Sequence, residues 1–185
     1  MEGFASPKLA LRQYMTPPSI ASELLWTAYM NGDIDRRDVY DLGTGTGMLA
    51  IGAALLGASV TGFDIDRDAI KIAIRNASRL KANITIIEKD IEDVEGYCDT
   101  VIMNPPFMVK GGKNDKIFLE KAFSLSDRVY SIHTAHTREW IRSFVESKGF
   151  NSMLIGSRDF PLPKQFAHQL KPLVRQRIDL WYFFK

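Results

Sequence analysis

This sequence contains almost no cysteine. It also has no large excess of one charge and no long apolar run. Cys98 is the only cysteine, which excludes an intramolecular disulfide and a cysteine-rich zinc site. The 24 basic and 22 acidic residues nearly balance, so any nucleic-acid surface must be local. No signal-peptide core precedes residue 17, and the weakly polar stretch 48–63 is shorter than the ~18 residues of a membrane span. These absences predict a cytoplasmic protein without a membrane segment.

Apolar runs alternate with segments of helical spacing, a pattern typical of a parallel sheet covered by helices. A chain of 185 residues is long enough for one well-buried core and too short for two ordinary domains. Strands are predicted at 39–42, 59–63, 84–87, 100–103, 129–132, 153–156 and 178–184. Helices are predicted at 20–30, 48–56, 68–80, 117–124 and 137–148. The sequence therefore predicts a single α/β domain.

The segment Asn104-Pro105-Pro106-Phe107 directly follows a predicted strand and has the features of a reaction site. The exocyclic amine of a base is a poor nucleophile, because its lone pair is delocalised until both N–H groups are held by acceptors. The Asn104 side-chain oxygen and the Pro105 carbonyl supply two acceptors, and proline adds no competing N–H. Phe107 offers a flat face to a flipped base. The segment predicts methyl transfer to an amino nitrogen, with a simple Pro-Pro turn as the alternative.

A glycine-rich loop lies between the first predicted strand and the following helix. Gly43, Gly45 and Gly47 are spaced so that backbone can approach a ligand closely. This spacing differs from a dinucleotide fingerprint, and Asp41 before it would repel a pyrophosphate. The loop therefore predicts a cationic ligand, and S-adenosylmethionine fits because carboxylates attract its sulfonium and ammonium groups.

Two more acidic residues follow the next two strands. Asp64 closes the second strand, where nucleotide-binding folds place an acceptor for ribose hydroxyls. Asp90 follows the third strand and is placed to accept the adenine amino group, with Ile91 supplying a backbone donor and an apolar flank. Alone, each could belong to a solvated loop. Together with the glycine loop, they predict a cofactor site.

These motifs together resemble the class I S-adenosylmethionine-dependent methyltransferases that act on amino nitrogens. Within that class the chain is similar to methyltransferase-like protein 5 and its archaeal relatives. Further matching stretches are Gln13-Tyr14-Met15-Thr16-Pro17, Gly62-Phe63-Asp64-Ile65-Asp66, Tyr130-Ser131-Ile132-His133 and Thr137-Arg138-Glu139. The resemblance implies a Rossmann-like domain over residues 1–185, with residues 1–37 as an N-terminal lid and helix. It also implies a seven-stranded, mostly parallel sheet with an antiparallel C-terminal strand and helices on both faces.

The resemblance further implies methyl transfer to N6 of an adenosine in small-subunit ribosomal RNA. It assigns the cofactor to Gln13, Thr16, Gly43, Thr46, Met48, Asp64, Asp90 and Ile91, and the target base to residues 104–107. The sequence departs from the family at Met15, where eukaryotic members have proline, and at Thr44 and Thr46, which replace cysteines. Neither change removes a needed charge or glycine.

Contacts to RNA are expected in two basic segments. Residues 110–116 form a glycine-rich loop in which Lys110 and Lys113 could meet phosphates beside the flipped base. The second segment combines Arg158, Lys164, Lys171, Arg175 and Arg177 with Phe160, Phe166 and His168. In both, the charges could instead only solubilise a surface. His133 is a candidate base contact or simply the end of a strand.

A partner protein and three alternative functions stay open at this point. The third strand, 84–87, would be an apolar sheet edge open to pairing, and relatives bind a small zinc-ribbon activator there. The acceptor could instead be a release-factor glutamine or the exocyclic amine of guanine. A glutamine methyltransferase usually has a separate N-terminal helical domain, for which ~37 residues are too few. The chain could also be a catalytically silent subunit of an RNA-modifying complex.

Overall fold

A seven-stranded sheet forms the centre of the structure, a computed structural model that describes residues 1–106, 113–163 and 173–185. The strands are β1 (Asp38–Leu42), β2 (Ser59–Asp64), β3 (Ile84–Glu88), β4 (Thr100–Met103), β5 (Arg128–Thr134), β6 (Asn151–Pro163) and β7 (Leu173–Phe184). Their order is β3-β2-β1-β4-β5-β7-β6. The strands from β3 to β5 pair in parallel, whereas β7 is antiparallel to β5 and to β6. The predicted sheet with its antiparallel C-terminal strand is confirmed.

The described residues form five α-helices, of which α1 precedes the first strand and the other four connect strands. They are α1 (Pro18–Met30), α2 (Met48–Leu55), α3 (Arg67–Leu80), α4 (Lys113–Leu125) and α5 (Arg138–Ser147). Pro18 opens α1, where its fixed φ suits the first helical turn and its missing N–H costs nothing. The Asp66 side chain caps α3 by accepting a hydrogen bond from the Asp68 backbone N–H at 3.0 Å. Local sequence therefore fixes where these helices begin.

Two hydrophobic layers cover the two faces of the sheet. Side chains of α1 and α2 pack on one face, and those of α4 and α5 pack on the other. The buried strand β4 serves both layers, because Ile102 points into the first and Val101 and Met103 into the second. This arrangement confirms the predicted helices on both faces, and it leaves the carboxyl ends of the central strands free for a site.

The last two strands are longer than the sequence predicts. The expected strands 153–156 and 178–184 extend to Asn151–Pro163 and Leu173–Phe184, with an irregular register between Leu154 and Gly156. Prolines and arginines in the outer part hide the strand pattern, although Phe160 is fully buried. Phe160 is therefore a core residue, and its expected contact with RNA is wrong. Lys164, Phe166, His168 and Lys171 lie outside the described residues.

Helix α4 begins earlier than predicted, at Lys113 instead of residue 117. Asp115 lies in this added turn, where an acidic side chain favours a helix N-terminus. The expected loop 110–116 is therefore too long at its C-terminal end. Within residues 1–106, 113–163 and 173–185, no helix is long and apolar enough to cross a membrane.

Helix α1 offers a direct test of this packing. Leu24 is fully buried in the first layer, whereas Met30 on the same helix is 67% exposed. We expect Leu24→Ala to lower the free energy of unfolding by about 2–5 kcal/mol, because the removed methyl groups leave a cavity. Met30→Ala, the matched control, should change it by less than ~0.5 kcal/mol. Urea denaturation measures both, and equal effects would contradict the layer assignment.

Candidate active site

The candidate site lies where the order of the parallel strands reverses. β1 stands between β2 and β4, so the chain leaving β1 and the chain leaving β4 diverge to opposite sides. Open parallel sheets bind ligands in the crevice that this reversal creates at the carboxyl ends of the strands. Asp41 lies near the end of β1 and Asn104 directly after β4. The fold therefore brings the two sequence motifs to one place.

A cavity of about 310 Å³ occupies this crevice. All of the residues predicted to contact a cofactor line it, namely Gln13, Thr16, Asp41, Gly43, Gly45, Thr46, Met48, Asp64, Asp90 and Ile91. Asn104 and Pro106 line the same cavity. The residues predicted from the sequence therefore line one and the same cavity. Their individual contacts with a ligand stay predictions.

The glycine loop is shaped for a close approach of backbone. Gly43, Gly45 and Gly47 adopt φ values of 73°, 55° and 84°, a region that glycine enters without strain. A Cβ on Gly45 would lie 3.1 Å from the Phe4 ring, and one on Gly43 would lie 3.3 Å from Phe118. Side chains at these positions would crowd the aromatic groups that flank the cavity.

Asp41 has a buried carboxyl group in which one oxygen accepts hydrogen bonds and the other has no partner among the described residues. Its Oδ2 accepts hydrogen bonds from Thr44 Oγ1 at 2.7 Å and from the Ala50 backbone N–H at 3.0 Å. Its Oδ1 is buried and has no hydrogen-bond partner among the described residues. Burial raises the pKa of Asp41 to about 7, although the two hydrogen bonds oppose that shift. A bound cation would stabilise the ionised form and satisfy the free oxygen.

Asp64 and Asp90 extend the acidic lining. Asp64 Oδ2 accepts from the Gly45 N–H at 2.7 Å, and its Oδ1 accepts from the Asp66 N–H at 2.9 Å. Burial raises the pKa of Asp64. Asp90 accepts from the Glu92 N–H at 3.0 Å, which orients it at the start of a short helical turn. Each carboxylate is held by backbone and still borders the cavity.

Residues 8–16, before α1, form an N-terminal strap along the cavity. Most of the polar contacts described for it are with Asp66. Gln13 Nε2 donates to Asp66 Oδ2 at 2.7 Å, and Lys8 Nζ pairs with Asp66 Oδ1. The Lys8 N–H donates to Gln13 Oε1 at 2.8 Å. Burial acts to raise the pKa of Asp66, but these hydrogen bonds lower it overall. Gln13 therefore holds the strap in place while it lines the cavity.

Further along, the strap reaches Asn104. Asn104 Nδ2 donates a hydrogen bond to Thr16 Oγ1 at 2.8 Å. Asn104 Oδ1 is buried, and no described residue donates to it. The amide therefore has its nitrogen engaged and its oxygen available, which is the state required to accept from a substrate amino group.

The remaining residues predicted for the substrate differ in their placement. Pro105 is buried, and Pro106 borders the cavity. Phe107 and Lys110 lie outside the described residues, as does the side chain of Lys113 at the start of α4. Their roles stay predictions.

His133 is fully buried within β5 instead of ending it. Its Nε2 lies 2.7 Å from Ser131 Oγ, and its Nδ1 lies 2.7 Å from Asp115 Oδ1. Both ring nitrogens are thus engaged, and the ring exposes no atom to a base. The observed role of His133 is to tie the first turn of α4 to the sheet.

Phe4, Phe118 and Asn76 are among the contributors to this site that sequence reasoning missed. Phe4 and Phe118 line the cavity, and Asn76 Nδ2 donates to the carbonyls of Glu2 and Thr46, both at 3.0 Å. Phe118 lies in a predicted helix, so its apolar character was visible but its direction was not. Phe4 and Asn76 follow no pattern that points to a ligand.

Comparisons with known proteins agree with this geometry. The family profile described as Methyltransferase small domain matches residues 18–127. The chain is 36% identical to the zebrafish (Danio rerio) rRNA N(6)-adenosine-methyltransferase METTL5, over 99% of this chain and 93% of the relative. It is 33% identical to the Drosophila melanogaster rRNA N(6)-adenosine-methyltransferase Mettl5, over 99% and 91% respectively. A crystal structure of a candidate RNA methyltransferase from Pyrococcus horikoshii is 40% identical, with a TM-score of 0.91, over 100% of this chain and 90% of that one.

The raised pKa of Asp41 makes stability depend on pH. The folded chain keeps this proton up to about pH 7, whereas the unfolded chain releases it near the ordinary value of 3.8. The folded state thus binds more protons between these values, and the contribution of Asp41 to stability falls as the pH rises through them. Asp41→Asn keeps the shape without the ionisation. We expect its free energy of unfolding to rise relative to the wild type by on the order of 4 kcal/mol from about pH 4 to pH 8.

Chemical denaturation of both proteins at several pH values measures this difference. A difference that stays constant over the whole range would contradict the assigned burial of an unpaired carboxylate. His133→Gln is a useful comparison, because it changes a buried group outside the cavity.

Proposed function

Because the chain belongs to the family Methyltransferase small domain, we propose that it transfers a methyl group from S-adenosylmethionine to N6 of an adenosine in small-subunit ribosomal RNA. The observation that carries this proposal is the buried Asn104 Oδ1, to which no described residue donates, at the cavity that Asp41 also lines. The two relatives described above are named as enzymes of this reaction and match over nearly the full chain.

The lining of the cavity fits S-adenosylmethionine. Asp41 offers an unpaired carboxylate oxygen to a positive group, Asp64 borders the cavity after β2 for ribose hydroxyls, and Asp90 and Ile91 border it after β3 for adenine. The glycine loop provides a wall without side chains. When bound, the cofactor supplies an electrophilic methyl group on a sulfonium. The protein supplies the negative charge and the shape that hold such a molecule.

The chain's own contribution to the reaction is positioning. Asn104 Oδ1 accepts one N–H of the target amine, and the Pro105 carbonyl accepts the other, so that the nitrogen lone pair points away from both. The nitrogen aligned in this way would take the methyl group that a bound cofactor supplies, and its proton would be lost after the transfer. Alignment of this kind can contribute on the order of 7 kcal/mol to lowering the barrier, so a strong base is unnecessary.

The RNA side of the proposal rests on residues around the Asn104 loop. Phe107 stacks on the flipped adenine, and Lys110 and Lys113 contact phosphates beside it. Arg158 and Arg177 are weaker candidates, because Arg158 Nε pairs with Glu23 at 2.8 Å and Arg177 with Asp159 at 3.3 Å. The buried His133 contributes indirectly, by holding α4. We place the reaction in the cytoplasm, where a reduced thiol such as that of buried Cys98 is stable.

The alternative acceptors give different products. A glutamine side chain or the guanine N2 amine presents the same pair of N–H groups to Asn104, and a silent subunit would transfer nothing. The similarity to enzymes named for adenosine N6, which extends over nearly the full length of the chain, favours adenosine over the other two acceptors. The buried amide oxygen, to which no described residue donates, favours an active enzyme over a silent one.

Asn104→Ala tests this function directly. The variant removes an acceptor that acts on the substrate, so we expect methyl transfer to RNA to fall by at least about a hundredfold while cofactor affinity stays within about threefold. Transfer of tritiated methyl to ribosomal RNA and calorimetric cofactor binding measure the two quantities. Asn151→Ala, at an exposed position on β6, is the matched control and should retain full activity. Near-normal transfer by Asn104→Ala would contradict the mechanism.

We also propose that a small zinc-ribbon activator protein pairs with β3 through residues 84–87. In the described part of the chain, β3 pairs on one side only, with β2, and stands at the edge of the sheet. Thr85 is exposed, and Ile87 is 40% exposed. Apolar side chains beside unpaired backbone groups favour the addition of a further strand.

Ile87→Lys tests this edge. A charged side chain in the new interface should weaken a 1:1 complex with the purified activator by at least about tenfold, which sedimentation velocity can measure. Met153→Lys is the matched control, because it places the same charge at a 42% exposed position on β6, the opposite edge of the sheet. Equal weakening by both variants, or by neither, would exclude pairing along β3.

A further inference from the structure

The hydrogen bond between Thr16 and Asn104 joins the N-terminal strap to the reaction site. Asn104 Nδ2 donates to Thr16 Oγ1 at 2.8 Å, and Thr16 is buried. Both residues line the cavity. Within the described residues, Asn104 Oδ1 has no donor. The one polar contact of this amide therefore comes from its nitrogen, and its partner is a residue 88 positions earlier in the chain.

The orientation of this amide decides what the site can bind. An amide offers an acceptor at its oxygen and two donors at its nitrogen. A target amine presents N–H donors, which the oxygen satisfies and the nitrogen repels. If the amide rotated by half a turn, donors would face donors, and the amine would lose the acceptor that localises its lone pair. The site thus requires that the Asn104 side chain be held in place with its oxygen toward the amine.

We propose that Thr16 is a positioning residue that holds the Asn104 side chain by accepting a hydrogen bond from Nδ2, so that Oδ1 stays directed at the substrate amine. The inference rests on the function proposed above and deepens it, because it assigns to the hydroxyl of Thr16 a task in methyl transfer that is separate from cofactor binding. Thr16 touches Asn104 and acts through it. The effect of losing the hydroxyl should therefore depend on the presence of Asn104.

The surroundings of Thr16 suit a fixed support. On its C-terminal side, Pro17 has a φ of −58° and Pro18 opens α1, whose Ile20 and Ala21 are buried. On its N-terminal side, Gln13 is held by Asp66 at the end of β2. The hydroxyl is thus anchored from the β2 side and from the α1 side, and it meets Asn104 at the end of β4. The strap in this way connects the cofactor wall of the cavity to the substrate wall.

The test compares Thr16→Val, which replaces the hydroxyl with a methyl group of similar size, with Thr16→Ser, which keeps the hydroxyl. We expect Thr16→Val to slow single-turnover methyl transfer to ribosomal RNA by about ten- to hundredfold, because the Asn104 side chain loses the hydrogen bond that holds it. Thr16→Ser should stay within about threefold of the wild type. Both rates are measured at saturating S-adenosylmethionine, with the affinity of each variant determined by calorimetry, so that a cofactor contact of Thr16 does not enter the compared rates.

A second comparison separates positioning from structural damage. In the Asn104→Ala background no amide remains to be oriented, so adding Thr16→Val should leave the residual rate unchanged within about twofold. A general loosening of the strap would instead slow both backgrounds equally and weaken cofactor binding. Thr16→Ala is the second variant if Thr16→Val does not fold, with the same expected rates.

The outcomes distinguish this inference from the proposed function. If the wild type methylates RNA and Thr16→Val is equally fast, positioning by Thr16 is wrong and the proposed function stands. An equal loss in both backgrounds, or a loss in Thr16→Ser as large as in Thr16→Val, also overturns the inference. If the wild type transfers no methyl group to RNA, the proposed function itself fails.

Discussion

The burial of two side-chain oxygens without internal partners is the constraint on which the site depends. Asp41 Oδ1 and Asn104 Oδ1 are both buried and unpaired among the described residues. They lie at the carboxyl ends of adjacent parallel strands, since Leu42 of β1 is in register with Met103 of β4. Unsatisfied buried polar groups cost about 1–3 kcal/mol each. The two packed layers must offset that cost until a ligand with positive charge and N–H donors satisfies both atoms.

The N-terminal strap completes a wall that the sheet alone leaves open. Its contacts run from Asp66 after β2, through Gln13, to Asn104 after β4. A carboxylate held below its usual pKa anchors one end, and an amide anchors the other. Since strand ends are fixed by the sheet, the strap spans a constant distance. This explains how a segment with little regular structure can hold side chains in defined positions.

The sequence predicted the central fold and the cofactor wall because both follow local rules. Strand β4 was predicted with its observed ends. The glycines of the Asp41 to Gly47 loop recur at every second position, and all three adopt the positive φ angles that favour glycine. Long-range geometry was not predictable in the same way. Phe160 looks like a surface aromatic because it lies in a basic segment. Its burial depends on packing with α1, which is distant from it in the sequence. His133 looked accessible because its partner Asp115 comes from a helix turn that the sequence pattern did not show.

The central claim is that this site methylates the amino nitrogen of adenosine. The most direct measurement incubates the purified protein with ribosomal RNA and S-adenosylmethionine that carries a trideuterated methyl group, followed by mass spectrometry of the nucleosides. The account predicts that the label is found in N6-methyladenosine. Label in N2-methylguanosine instead, or no label in any nucleoside, would contradict it.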